Sequence, residues 1–127
     1  MKINRVNIGI NINDSTNPWT DWILDGKKTI ETRNRSTLDS YIGKRVGIIR
    51  TGLGKAHLVG FVDIVGKKVY KTPEEFRKDE AIHCVKQEST FDFDSNYNGK
   101  IGYILKNPER LSVPIPVNSK GMVSRKI

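Results

Sequence analysis

Three side chains that can do chemistry together stand close in the chain: Lys28, Glu31 and Arg33, within Gly26-Lys27-Lys28-Thr29-Ile30-Glu31-Thr32-Arg33. A guanidinium binds a phosphate or carbonyl oxygen through paired N–H donors. A carboxylate accepts from a base amine or moves a proton, and an ammonium polarises a bond. The plainer reading is a same-face Glu31–Arg33 ion pair on an exposed strand, worth at most about 1 kcal/mol. Placement separates the two, so the elements around the run matter.

Upstream, Asn13 to Asn17 supplies loop and capping chemistry, and Pro18 suits the first turn of a helix because its missing N–H is not needed there. Trp19, Trp22 and Ile23 then form an apolar stripe at i, i+3 and i+4, and Gly26 closes the helix as a left-handed cap. The stretch from Thr29 to Arg35 reads as extended, which leaves Lys28 at a helix-to-strand junction where a long cation reaches over a cleft mouth. Period two then puts Thr29, Glu31, Arg33 and Arg35 on one face and Ile30 and Thr32 on the other, with Ile30 toward the core.

The rest of the chain reads as short strands. Ile3, Val6, Ile8, Ile10 and Ile12 mark an opening strand over 3–12, and two more follow at 44–51 and 57–65, joined by the hairpin-like Gly52-Leu53-Gly54-Lys55. A second helix opens at Thr72-Pro73-Glu74-Glu75-Phe76, with acids in its first turn. Residues 91–94 are ambiguous, and Asn96 to Gly99 form a turn. Strands over 100–106 and 111–117 are joined through Asn107-Pro108-Glu109, and the basic tail from Asn118 is frayed or a final edge strand. The economical architecture is α+β, mainly β: a small closed or partly closed barrel with two or three short helices, since closure removes exposed strand edges.

A chain of 127 residues fits one domain spanning 1–127. Mean hydropathy is −0.49, and no apolar run approaches the roughly 18 residues needed to span a bilayer. The run Met1-Lys2-Ile3-Asn4-Arg5 lacks the apolar stretch of a secretory signal, and Cys84 is the single cysteine, so the expected setting is cytoplasmic, with no membrane partner. The net charge of +8 is uneven: +1 over 1–42, +6 over 43–71, −4 over 72–98 and +5 over 99–127. Two basic blocks around an acidic one suit a polyanion, because Lys and Arg neutralise phosphates and release counterions. A solvated surface that keeps the protein dispersed is the alternative.

Other reactive residues carry less. Trp19 and Trp22 could stack on a base, though helical spacing favours core, above all for Trp22. Tyr41 and Tyr103 fit cleft or core equally. His83, Cys84 and the distant His57 are too few and wrongly spaced for a zinc site, and neighbours on one helix do not face each other as a nucleophilic pair must. Gly52 to Lys55 lacks the P-loop spacing. No cofactor or metal is expected.

Pro18-Trp19, Ile23, Gly26, Lys28, Glu31 and Arg33 together resemble the helix-to-strand signature of the ASCH domain family, a PUA-like β-barrel group. Gly43-Lys44-Arg45-Val46, Gly60-Phe61-Val62, the run from Lys100 to Pro108 and Pro114-Ile115-Pro116 are similar to the family's later strands, so the resemblance covers about residues 17–117. It implies RNA or a (modified) nucleotide as partner, in a cleft lined by Lys28, Glu31 and Arg33. Basic and aromatic residues at Lys27, Lys28, Arg33, Arg35, Lys44, Arg45 and Trp19 would contact nucleic acid. Some members are amidohydrolases that deacylate N(4)-acetylcytidine with a Lys, a Thr and a Glu. Lys28 matches that Lys, but Glu31 occupies the Thr position, and a second acid would fall between Asp79 and Glu88. Other members are ribonucleases. A hydrolase with Lys28, Glu31 and Arg33 as catalytic residues and Glu31 as general base is therefore the alternative to a binding module, and a protein-interaction domain the third.

Overall fold

The computed structural model describes residues 6–97 and 99–127. The Ile3 end of the expected first strand, and Asn98 in the expected turn, lie outside the described residues. The elements in chain order are β1 (Ile8–Asn13), α1 (Trp19–Leu24), β2 (Ile30–Arg33), a 3-10 turn (Asp39–Tyr41), β3 (Lys44–Thr51), β4 (His57–Tyr70), α2 (Pro73–Lys78), α3 (Glu80–His83), β5 (Lys100–Pro116) and β6 (Ser124–Lys126).

The strands form one sheet in the order β2-β5-β4-β3-β1-β6. Every pairing is antiparallel except β1 on β3, which is parallel. The sheet curls into a half-barrel, so that β2 at one edge faces β1 near the other, and Arg33 of β2 donates from Nη2 to the Asn11 oxygen of β1 at 2.9 Å. The expected α+β, mainly β architecture of a small PUA-like barrel with short helices is the one observed.

Local chemistry sets the helix ends. Gly26 takes φ +80, the left-handed conformation that stops α1 at low cost because glycine has no Cβ to clash. Pro18 precedes the helix, and Asp14 serves its first turn instead, accepting from the Thr20 N–H and from its hydroxyl. Thr72 caps α2 by accepting from the Glu75 N–H at 3.2 Å, with Pro73 just inside. The main core joins Ile10 and Ile12 of β1, Ile23 of α1, Val62 and Ile64 of β4 and Phe76 of α2.

Two strands differ from expectation. β4 continues five residues past Val65 to Tyr70, where polar Lys67 and Lys68 mask the strand pattern but pair with Tyr103 and Gly102. Residues 100–116 form one strand, not two joined by a turn. Because β4 runs alongside both halves, the chain absorbs Asn107 (φ 54) and Pro108 as irregularities in a bent ribbon instead of reversing. The tail ends as an edge strand, β6 on β1.

Candidate functional site

The cleft begins where α1 gives way to β2. Lys28 is fastened there by its own N–H to the Trp22 oxygen, and Thr29 N–H bonds to the Ile82 oxygen of α3. These contacts turn the Lys28 side chain inward. Only 2% of the residue is exposed, so it forms the floor of the hollow instead of reaching over its mouth as the sequence suggested. Its Nζ donates to the His83 main-chain oxygen at 2.5 Å, stands 3.7 Å from Glu31 Oε1 and lies 4.8 Å above the Trp19 ring.

Glu31 is opposite Tyr103 in the β2–β5 register, and both are buried. Ile30 is buried as well, packed over Gly102, so neither face of β2 is an open surface. Arg33 completes the group, donating from Nε to Glu31 Oε2 at 3.0 Å. Lysine, glutamate and arginine thus form one chain of contacts, and all three line a cavity of about 510 Å³. The exposed ion pair of the plainer reading is not what forms. Burial holds the Lys28 ammonium below the ordinary lysine range, with the nearby Glu31 carboxylate acting the other way.

Some lining residues carried no functional signal in the sequence. Lys100 opens β5, is 4% exposed, and donates from Nζ to the Phe91 oxygen at 2.6 Å. Burial lowers its pKa as well. A lysine at a strand start usually marks a solvated end, so nothing in the pattern singles it out. Arg125 and Met122 reach the rim from the tail, where Asn11 organises them. The Asn11 side chain donates to the Gly121 and Met122 oxygens and accepts from Arg125 Nε. Lys28, Arg33, Lys100 and Arg125 therefore face the cavity against one lining carboxylate, Glu31. Trp19, Phe91, Ile12 and Val85 supply apolar wall.

Other residues expected to touch nucleic acid lie elsewhere. Lys27 is exposed, 4.6 Å over Trp22, and Arg35 is exposed, 5.6 Å over Tyr97. Lys44 is exposed at the start of β3, while Arg45 is held by Asp63 at 3.0 Å and Glu109 at 2.8 Å. None of these four lines the cavity. Trp19 does, edge-on to Trp22 and Phe91. Tyr103 is core, with its hydroxyl donating to Asp39 and its pKa pushed up to about 12 by burial. The half-buried Tyr41 hydroxyl lies 2.7 Å from that of Ser124.

Between Asp79 and Glu88, no carboxylate lines the cavity. Asp79 instead accepts from Lys68 and the Tyr70 hydroxyl. His83 is wholly buried, stacked 4.0 Å from Phe76, with Nε2 at the Phe76 oxygen and Nδ1 accepting from the Val85 N–H. That assigns a neutral ring whose role is to hold the segment that receives Lys28. Among the described residues, no group of three or more His, Cys, Asp or Glu side chains is placed to hold a metal, and no helix is long and apolar enough to cross a membrane.

The model of the ASCH domain matches residues 16–114. The chain belongs to the ASCH domain family. Among solved structures it is similar to the ASCH protein of Zymomonas mobilis, with 19% identity, TM-score 0.70, and coverage of 88% of this chain and 74% of that one. A tyrosine-to-phenylalanine variant of the same protein aligns with 18% identity, TM-score 0.69, and coverage of 90% and 76%. At such identity the likeness establishes the fold. Among curated proteins, no match is found.

Proposed function

We propose that this ASCH domain, taken as one unit over 1–127, binds RNA or a modified nucleotide in the hollow lined by Lys28, Glu31 and Arg33. The observation that carries the reading is the cavity's charge, four cationic side chains facing a single carboxylate. Its volume of about 510 Å³ lies in the range of small-ligand sites. A base would lie against Trp19 and Phe91 while Arg33 and the lysines meet its oxygens or phosphates. The single thiol fits a reducing, cytoplasmic setting. Filter binding of single-stranded RNA across a salt series tests the reading. Affinity should fall steeply with rising salt, and absence of binding to RNA and nucleotides at low salt overturns it.

A hydrolytic reading is favoured by one contact, the Glu31 carboxylate held within 3.7 Å of the Lys28 ammonium inside the cavity. Glu31 would then move a proton while Lys28 and Arg33 stabilise developing negative charge on a phosphodiester or an N(4)-acyl group. Incubating the protein with RNA and with N(4)-acetylcytidine decides. Turnover that vanishes in Glu31→Gln supports it, and no turnover of either substrate leaves the binding module. A folded sample that ignores both ligands points to a protein-interaction role.

A further inference from the structure

Two lysines are buried in this cavity, and they are served differently. Lys28 has Glu31 at 3.7 Å and the His83 oxygen. Lys100 has the Phe91 oxygen and the Phe76 ring, 5.6 Å from its Nζ, and no carboxylate within ion-pair distance among the described residues. None of the residues outside that description is acidic, so no counter-charge is missing from the count. Asp92 is occupied by Arg77 at 2.8 Å and by the Glu88 and Phe93 N–H groups, and Asp94, nearer in sequence, accepts from the Asn96 N–H at 2.9 Å and forms no ion pair with Lys100. Glu31, shared between Lys28 and Arg33, is equally engaged.

An ammonium that is 4% exposed forfeits most of its hydration, and one carbonyl returns little of it. Such a group persists when something else meets its charge. An ammonium has three N–H donors, and the Phe91 carbonyl takes one of those on Lys100. Arg125 adds a second cation without a carboxylate in ion-pair reach among the described residues, held at the rim through Asn11 and the Ser119 oxygen. The hollow therefore carries excess positive charge inside a partly desolvated space, where an anion gains more than it would on the surface.

Resting on the nucleotide-binding reading above, we infer that the ligand carries its phosphate into the cavity, and that Lys100 with Lys28 receives it. The class is a nucleotide or a phosphate-terminated RNA end, not a neutral nucleoside and not an internal stretch of strand passing over the rim. Apolar Trp19 and Phe91 leave room for the base on the same wall. Burial holds both lysines below the ordinary lysine range, with the surrounding carboxylates acting the other way.

Isothermal titration of the natural protein with the four ribonucleoside 5′-monophosphates, the matching nucleosides and inorganic phosphate tests this. Short RNAs with and without a terminal phosphate separate a free nucleotide from a strand end. Monophosphates should bind at least about tenfold tighter than nucleosides, and Lys100→Met should erase that preference while the control Lys106→Met, at an exposed lysine outside the cavity, keeps it. Equal affinity for nucleotide and nucleoside, or a preference surviving in folded Lys100→Met, overturns the inference and leaves nucleotide binding standing. If nothing binds, both readings fall. Should Lys100→Met not fold, as its melting curve will show, the comparison on the natural protein decides alone.

Discussion

Arg33 joins two parts of the site that are far apart in the sheet order: its Nε binds Glu31 beside it on β2, and its Nη2 binds the main-chain oxygen of Asn11 on β1. One guanidinium thus closes the open side of the half-barrel and fixes the carboxylate that faces Lys28. The planar fork presents donors to both partners in one fixed geometry.

Arg33→Lys keeps the charge and loses the fork. We expect a loss of about 1–2 kcal/mol in unfolding free energy, roughly one charge-assisted hydrogen bond. Urea unfolding by tryptophan fluorescence reads it directly, and an unchanged midpoint would remove the closing role.

Asn11→Ala spares that main-chain acceptor and removes the side-chain bonds to Gly121, Met122 and Arg125. The segment 119–126 should then exchange its amide hydrogens faster while β3 and β4 stay protected. Since residues 115–127 lie past the matched ASCH segment, this separates the tail from the matched part of the barrel. Unaltered exchange at Ser124 and Arg125 would count against Asn11 as the anchor.

Glu31→Gln leaves Lys28 buried with a carbonyl as its remaining close partner. Breaking a buried pair in this way costs about 3 kcal/mol. RNA or nucleotide binding should survive in the fraction that is folded, because the site becomes more positive. Any turnover should disappear. Full stability with full turnover would contradict both the pairing and the proposed general base.

His83 predicts a pH dependence. Burial lowers its folded pKa below the ordinary histidine value of 6.5, so the unfolded chain takes up a proton first as pH falls. The ring's contribution is fully present above about pH 6.5 and is lost as pH falls toward and through the folded value, at about 1.4 kcal/mol per pH unit. Melting temperatures between about pH 5 and 7.5 should decline accordingly, and His83→Gln should flatten the profile. A variant that tracks the natural protein point for point would show that other groups set it.

Arg45 illustrates how charge alone misleads. Its sequence neighbourhood is the most basic in the chain, yet Asp63 and Glu109 hold its guanidinium and it does not line the cavity. Lys100 is the reverse case, unremarkable in sequence and buried in the hollow. Near-neighbour patterns made the helix stop at Gly26, the β3–β4 hairpin and the Thr72-Pro73 helix start legible, because caps, turns and period-two alternation are properties of a few consecutive residues. Lys28, Glu31 and Arg33 could be grouped for the same reason. Their depth could not be read, nor could the Arg33–Asn11 closure, the single bent β5 or the tail's return beside β1. Each depends on strands more than twenty residues apart coming into register, and burial is settled by that packing and not by the identity of the residue buried.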